Sequence, residues 1–483
     1  MRLTKVIARA ALTTLVAAAA SSAGAQQGFT DAFPPEEFAA RRAKVMDAIG
    51  DGVVILQGAA ERRGESPLRQ SNQFFYLTGV VEPRAMLIID GRARRSTLFI
   101  APRTAARQRA IGPYLNVGDS SARGTGLDAI VPRDSFTTSV AALAAEKRLI
   151  VTPMRPEVLG SESSSDVVAH LRATKNDPWD GHITRDEAFI AHLKAAAPQS
   201  EFRDLDPILD ALRAVKSPRE IAVIREATRL AGLGIMEAMR DAEPGMYEYE
   251  LEAAAEYAYK RGGAYGESYF PLIADGLNMP YTHYHKDRAR LKAGDLVQFD
   301  WAPDLANYTT DVTRVFPANG KFTSRQREFY TIYLRLYQAL MSSIRVQVTA
   351  REIMDSAVVK MDKIIAAYRF TDPKIKSTAE AFVNRFRPNP NGRGGAGSLG
   401  HSVGMEVHDV RNPTPTLETG YVFTIEPQMT MPDGELSVRL EDMILITESG
   451  YENLSAFVPI EIADIERLMA QPGLGAHALK LKR

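Results

Sequence analysis

The sequence predicts two domains, an α/β domain followed by an α+β domain. Three observations carry that prediction. The chain has 483 residues, too many for one ordinary hydrophobic core. From Phe38 to about residue 205, short apolar runs alternate with helical stretches, the pattern of an α/β unit. Near residues 205 to 215 the texture changes to long helical periodicity, followed by strand-like runs and more helices.

The first domain, about residues 30–205, opens with the amphipathic helix "EEFAARRAKVMDAI". "GVVILQG", "AMLIIDG", "STLFIAP" and "RLIVTP" read as short buried strands bounded by Gly and Pro. The second domain, about residues 206–465, begins with helical periodicity from Asp206. Ser217-Pro218 supplies a cap and a proline at the first helical position. "EYELEAAAEYAYKRGGA" is a helix stopped by a glycine pair. "SYFPLIADG", "DLVQFDWA" and "TTDVTRVFPA" read as strands. "TSRQREFYTIYLRLYQALMSSIRVQ" and "TAREIMDSAVVKMDKIIAAY" are helices, and "GYVFTIEPQMT" and "ELSVRLEDMILIT" are strands again. Helices then flank an antiparallel sheet, and residues 466–483 form a tail.

Composition removes several function classes. Hydrophobic residues make 45% and charged residues 24% of the chain, ordinary for a soluble protein. Lys+Arg and Asp+Glu are both 59, so charge gives no basis for a nucleic-acid or anionic-membrane partner. Cysteine is absent, which excludes disulfides, thiolate metal sites and cysteine nucleophiles.

The start, "MRLTKVIARAALTTLVAAAASSAGAQQG", has a positive end at Arg2, Lys5 and Arg9. An apolar run from Ala10 to Ala20 follows, then Ala23-Gly24-Ala25 as a small-x-small cleavage site. The run is too short to span a bilayer. We read residues 1–25 as a secretory signal peptide. The expected location is secreted or periplasmic, free of the membrane after cleavage. "GRGGAG", residues 392–397, matches a dinucleotide fingerprint in letters only. It follows "FRPNPN", where two prolines forbid the strand that the fingerprint requires. We read it as a mobile glycine-rich loop.

The chemistry centres on "QFDWAPDLANYTTDVTRVF". Asp300 closes one apolar run, Asp311 opens the next, and Pro303 to Asn307 reads as a turn. A hairpin brings the ends of both strands together, and two adjacent carboxylates repel unless a cation or proton sits between them. Candidate companions are His401 and His408 in "GHSVGMEVHDV", Glu426 ending "VFTIEP", and Glu441 in the middle of "SVRLEDMILIT". Each alone has a plain structural role open to it: a satisfied core histidine, or a buried salt bridge such as Glu441 with Arg439. Their common occurrence at strand ends of one domain points to a shared site.

The motifs "GDLVQFDWA", "TTDVTRVFPANGKFTSRQREFY", "GHSVGMEVHD", "FTIEP" and "VRLEDMILITESGYENLS", in that order, resemble one metallopeptidase family. It contains aminopeptidase P, prolidase and methionine aminopeptidase, and its catalytic fold is called pita-bread. "RQSNQFFYLTGVVEPRAMLIID" resembles the extra N-terminal domain of the aminopeptidase P branch. The resemblance implies a ligand set of Asp300, Asp311, His401, Glu426 and Glu441 around two divalent ions. In it Asp311 and Glu441 bridge, Asp300 binds one ion, and His401 and Glu426 bind the other. Four carboxylates and one imidazole suit Mn²⁺, with Co²⁺ or Zn²⁺ as alternatives. Two such ions sharing a hydroxide make a nucleophile at neutral pH.

The resemblance also points to His283, in "YTHYHKD" beside His285, and to His408 as neutral donors to the tetrahedral intermediate. Glu426 then serves as proton shuttle. Arg439 shares a strand face with Glu441 and reads as the partner of a ligand carboxylate, or as an anchor for a substrate carboxylate. The implied activity is Xaa-Pro aminopeptidase action on peptides with proline second, in a homo-oligomer (dimer or tetramer). Alternatives are an Xaa-Pro dipeptidase, a non-catalytic peptide-binding module, and metal-free creatine-type hydrolysis. The complete ligand set speaks against the last two. Trp301 and Gln428 stand beside ligands where the family usually has small residues, which bears on substrate preference.

Overall fold

The four apolar runs of the first domain are strands of one sheet. In the computed structural model, which describes residues 28–476 apart from 62–66, 113, 182, 389–398 and 412–413, six strands pair. They are β1 (Val53–Gln57), β2 (Met86–Asp90), β3 (Arg95–Ile100), β4 (Ala129–Pro132), β5 (Ile150–Thr152) and β6 (Phe202–Asp204), in the order β4-β3-β2-β1-β5-β6. β1, β2 and β3 form an antiparallel meander, and the other pairings are parallel. β4 and β6 were not predicted. They have only 4 and 3 residues and are half exposed, so neither shows an apolar run. The leader at 1–25, the "GRGGAG" loop and residues 477–483 lie outside the described residues.

The first helix is Pro35–Ile49, with Phe38, Val45, Met46 and Ile49 turned into the core. The second domain starts directly after β6 with the helix Asp206–Ala214. The helix Pro218–Asp241 follows, and the Ser217 side chain accepts from the Glu220 N–H as its cap. Helices Glu248–Arg261, Ser324–Met341 and Ala350–Ala367 lie where periodicity placed them. Two further helices, Pro373–Asn384 and Ile462–Met469, were not read from the sequence. The second of these crosses residue 465, where the tail was expected to begin.

The antiparallel sheet of this domain is divided. Its strands are β7 (Gly266–Glu267), β8 (Leu272–Asp275), β9 (Leu296–Asp300), β10 (Pro303–Asp304), β11 (Thr313–Pro317), β12 (Val422–Ile425), β13 (Met429–Thr430), β14 (Ser437–Val438), β15 (Asp442–Thr447) and β16 (Gly450–Asn453). They make two three-stranded sheets, β11-β9-β8 and β12-β15-β16, and two pairs, β10-β7 and β13-β14. The three-stranded sheets meet where Thr313 pairs with Glu441.

Two local expectations are corrected. Pro303 to Asn307 is not simply a turn, because Pro303–Asp304 pairs with Gly266–Glu267. The reversal lies between Leu305 and Tyr308, with Ala306 and Asn307 at φ 52° and 66°. This excursion reaches the first domain. Arg69 donates to Asp304 at 2.8 Å, and the Asn307 amide donates to the Gln70 carbonyl at 2.8 Å. Glu441 is not in mid-strand either. β14 ends at Val438 and β15 begins at Asp442, and the Glu441 N–H donates to the Thr313 carbonyl at 3.1 Å.

Arg314 fastens that junction. Its fully buried guanidinium donates to the carbonyls of Thr313 (2.9 Å), Glu441 (2.7 Å) and Ser455 (3.1 Å), and to the Asp442 carboxylate at 2.7 Å. Burial alone would raise the Asp442 carboxyl. Arg314, with Ser455 and Tyr337, outweighs it and holds the group below its ordinary value of 3.8. A depressed folded-state value means that Asp442 contributes its full stabilisation above the ordinary carboxylate range and loses it as pH falls. Arg314→Met leaves that carboxylate buried without its cation. The expected loss is about 3–5 kcal/mol, read by urea unfolding at neutral pH. A change within about 0.5 kcal/mol, the range of ordinary surface substitutions, would remove Arg314 from this role.

Candidate metal centre

The site is built on the strand junction. Asp300 is the last residue of β9 and is buried. Asp311 lies two residues before β11 and is also buried. Between them stands Tyr269, whose hydroxyl lies 2.6 Å from one oxygen of each carboxylate. Burial and then the charges of Asp300 and Asp311 push the Tyr269 hydroxyl well above its ordinary range, so it remains a donor. The second Asp300 oxygen is paired with Arg439. Arg439 therefore partners Asp300, and it shares no strand face with Glu441, because both lie between β14 and β15.

Glu441 approaches from the other sheet. The Thr313 hydroxyl donates to Glu441 Oε2 at 2.7 Å, while Glu441 Oε1 is buried without a hydrogen-bond partner among the described residues. Glu426 follows β12 directly, and its side chain is 28% exposed, the most open of the four carboxylates. His401 faces them. Its Nε2 is 3.4 Å from Asp311, 3.5 Å from Glu426 and 3.8 Å from Glu441. Its Nδ1 is 3.3 Å from the Ser402 carbonyl. A proton on Nδ1 would fit that contact and leave the Nε2 lone pair toward the carboxylates.

This arrangement is costly without a cation. Burial, then the charges of Asp300 and Glu426, push Asp311 well above the ordinary carboxylate range. Burial, then Asp311 and Glu426, do the same to Glu441. Like charges in a low-dielectric site cannot all ionise unless something positive lies among them. Asp311, His401 and Glu441 each offer a ligand atom within 4.8 Å of the others. The orphaned Glu441 oxygen and the His401 lone pair are the donors that a divalent ion would satisfy. The residues present fit a metal.

The remaining expected residues surround this cluster. The His408 ring stands edge-on to His401, with centroids 4.2 Å apart. His408 is an exposed residue, yet desolvation of its ring, helped by His401 and His283, pushes it down to about 4. His408 is therefore a neutral imidazole near pH 7. His283 lies on the exposed segment before β9. The His285 ring contacts the His283 carbonyl at 2.9 Å and packs edge-on against Phe270, which occupies it elsewhere.

Trp301 is buried against Tyr259, and its indole donates to Glu267 at 3.3 Å. The Gln428 amide donates to the Met279 carbonyl at 2.9 Å and to Ser437 at 2.8 Å, tying the ligand strand to the segment that leads to His283. Sequence reasoning missed Tyr269 and Thr313. Thr313 was within reach, since it lies two residues from Asp311 on the same strand face. Tyr269 carried no signal, because its hydroxyl meets the two aspartates only through the fold.

A carboxylate-rich ligand set beside further imidazoles is the equipment of a metal-dependent hydrolase. Known proteins make the class specific. Residues 222–448 match "Metallopeptidase family M24", and residues 38–151 match "Aminopeptidase P, N-terminal domain". The Xaa-Pro aminopeptidase of Escherichia coli (strain K12) is 30% identical over 461 residues, which cover 90% of this chain and 97% of that protein. The structure of proline aminopeptidase P II from Yersinia pestis superposes with a TM-score of 0.70 at 30% identity, covering 91% of this chain and 100% of that one. An Xaa-Pro dipeptidase of Pyrococcus horikoshii is 31% identical over 271 residues, 55% of this chain and 70% of that protein. The chain belongs to metallopeptidase family M24, in its aminopeptidase P branch. It is a metal-dependent exopeptidase of that family.

Tyr269→Phe deletes the hydroxyl shared by Asp300 and Asp311 without emptying space. We expect divalent-metal affinity to fall about 10- to 100-fold, the usual cost of removing a hydrogen bond to a ligand. Titration of the metal-free protein with Mn²⁺ or Co²⁺ measures it. Unchanged affinity would show that the hydroxyl does not orient the two carboxylates.

Proposed function

We propose that this chain is an Xaa-Pro aminopeptidase, releasing the first residue from peptides with proline in second position. The observation that carries the reading is the convergence of His401 Nε2 on three carboxylates within 3.8 Å, one with an unsatisfied buried oxygen. Asp300, Asp311, His401, Glu426 and Glu441 would hold two divalent ions, Mn²⁺ before Co²⁺ or Zn²⁺ on the chemistry of the donor set. When bound, the ions would supply a water nucleophile at neutral pH and polarise the scissile carbonyl.

The protein residues manage protons and charge. Water adds to the carbonyl carbon, the C–N bond breaks, and the proline nitrogen must gain a proton to leave. Glu426 is the ligand carboxylate most open to the pocket and can carry that proton. His408, a neutral imidazole beside His401, and His283 on the facing segment are the donors for the developing oxyanion. A bond to proline has no N–H, so a site that asks for none at the cut can specialise in it. Support for the aminopeptidase over the dipeptidase comes from extent. The Escherichia coli aminopeptidase aligns with 90% of this chain, including the first domain, and the Pyrococcus dipeptidase with 55%.

The two histidines of "GHSVGMEVHDV" should separate in experiment. His401→Ala should lower bound metal. His408→Ala should keep the metal and lose turnover on the order of 100-fold, the scale of one oxyanion donor. Equal metal loss in both variants would reject the division of roles.

Mass spectrometry of digests tests the specificity. A single residue should leave the N-terminus of peptides with proline second, and N-acetylation should block it because the free amine takes part in recognition. Release from the C-terminus, or equal cleavage with alanine in place of proline, would overturn the Xaa-Pro reading and leave the metallopeptidase class standing.

A further inference from the structure

The segment between His401 and His408 is tethered from inside. Ser402 and Asp409 close it, by the Asp409 N–H to the Ser402 carbonyl (2.9 Å) and the Ser402 hydroxyl to the Asp409 carbonyl (2.6 Å). The Glu406 and Asp409 carboxylates are buried in the protein. One nitrogen of Arg213 donates to both, at 3.0 Å and 2.5 Å, and Lys216 lies 3.3 Å from the second Asp409 oxygen. All four side chains are about 1% exposed. Space is so tight that a Cβ on Gly404 would fall 2.0 Å from an Asp409 oxygen.

The free oxygen of Glu406 is taken by the first domain. Ser164 donates to Glu406 Oε2 twice, from its backbone N–H (2.8 Å) and from its hydroxyl (2.7 Å). Nearby, the Asn72 amide donates to the Met405 carbonyl at 3.1 Å. Ser402 to Val407 are buried and His408 is the exposed residue of the segment, and a buried ion cluster is expensive to maintain. Fixing the direction of a reacting side chain is a use that matches the cost.

We propose that Ser164 of the first domain is a positioning residue for His408, acting through the buried Glu406–Arg213–Asp409 cluster. The inference rests on His408 being the donor described above. It gives the first domain a part in turnover that does not require it to touch substrate.

Ser164 allows an unusually clean test. It is the first residue of the helix Ser164–Asn176, and the cap is formed by Ser163 with Asp166. Proline is well accepted at that position, and Ser163, at φ −112° and ψ 163°, already has the conformation required before proline. Ser164→Pro thus removes both donors to Glu406 while keeping the helix, Ser164→Ala removes one, and Ser164→Thr keeps both. With a Gly-Pro-Xaa peptide and Mn²⁺, the proline variant should lose about tenfold in kcat with KM and bound metal unchanged, as small misplacements of a catalytic group do. Alanine should fall between, and threonine should match the parent. In the metal-free protein, the Gly404 and Asp409 amides should exchange faster with deuterium in the proline variant.

A double-mutant comparison decides the route. In the His408→Ala background, Ser164→Pro should cost nothing further. An equal added loss there, or parental kcat for Ser164→Pro in an enzyme that His408→Ala cripples, would overturn the inference. Full turnover by His408→Ala itself would overturn the reading of His408 on which the inference stands.

Discussion

Three buried carboxylates, Asp300, Asp311 and Glu441, with the half-buried Glu426 beside them, are the constraint on which the rest of the second domain depends. The three are taken out of water and placed against others of the same charge, a cost that no packing recovers. The surrounding structure distributes it. Tyr269 serves Asp300 and Asp311 together, Arg439 neutralises Asp300, and Thr313 takes one oxygen of Glu441. What is left over, an unsatisfied Glu441 oxygen and the lone pair of His401, is what a divalent ion requires. The division of the sheet follows from the same need. A continuous sheet would point Glu441 along its own strand ladder, whereas the break at residues 439–441 lets its backbone join Thr313 and carries its side chain to Asp311.

The first domain enters this arrangement through two helix starts and the residues beside them. Arg69 and Gln70 hold the excursion that follows Asp300. Ser164 and Asn72 hold the segment that follows His401. Both contacts meet the second domain just beyond a proposed ligand. A domain placed in this way sets loop geometry without supplying a reacting group, and loops fixed by a rigid scaffold are the usual seat of function.

Much of this was legible in the sequence for reasons that differ by residue. β1, β2, β3 and β5 declared themselves because each is a continuous apolar run. β4 and β6 did not, because short, half-exposed strands leave no period to read. Asp300, Asp311 and Glu441 were conspicuous as charges within apolar strand sequence, the one place where a carboxylate demands an explanation. Tyr269 and Ser164 were invisible for the opposite reason. A tyrosine in a strand-like run and a serine at a helix start are ordinary locally, and their partners lie 42 and 242 positions away. The excursion at Pro303–Asn307 read as a turn because proline and asparagine signal one, and only the neighbouring domain gives it a second purpose.

The bond from Thr313 to Glu441 spans 128 positions of chain, and that distance sets an order of assembly. Asp300 and Asp311 are held together by local antiparallel pairing. Glu441 arrives only after three long helices and the histidine loop have been laid down between them. Long-range closure of this kind is slow and is not rewarded until it is complete. The cluster is complete only when Glu441 has joined the two aspartates, so its make-up depends on that long-range pairing.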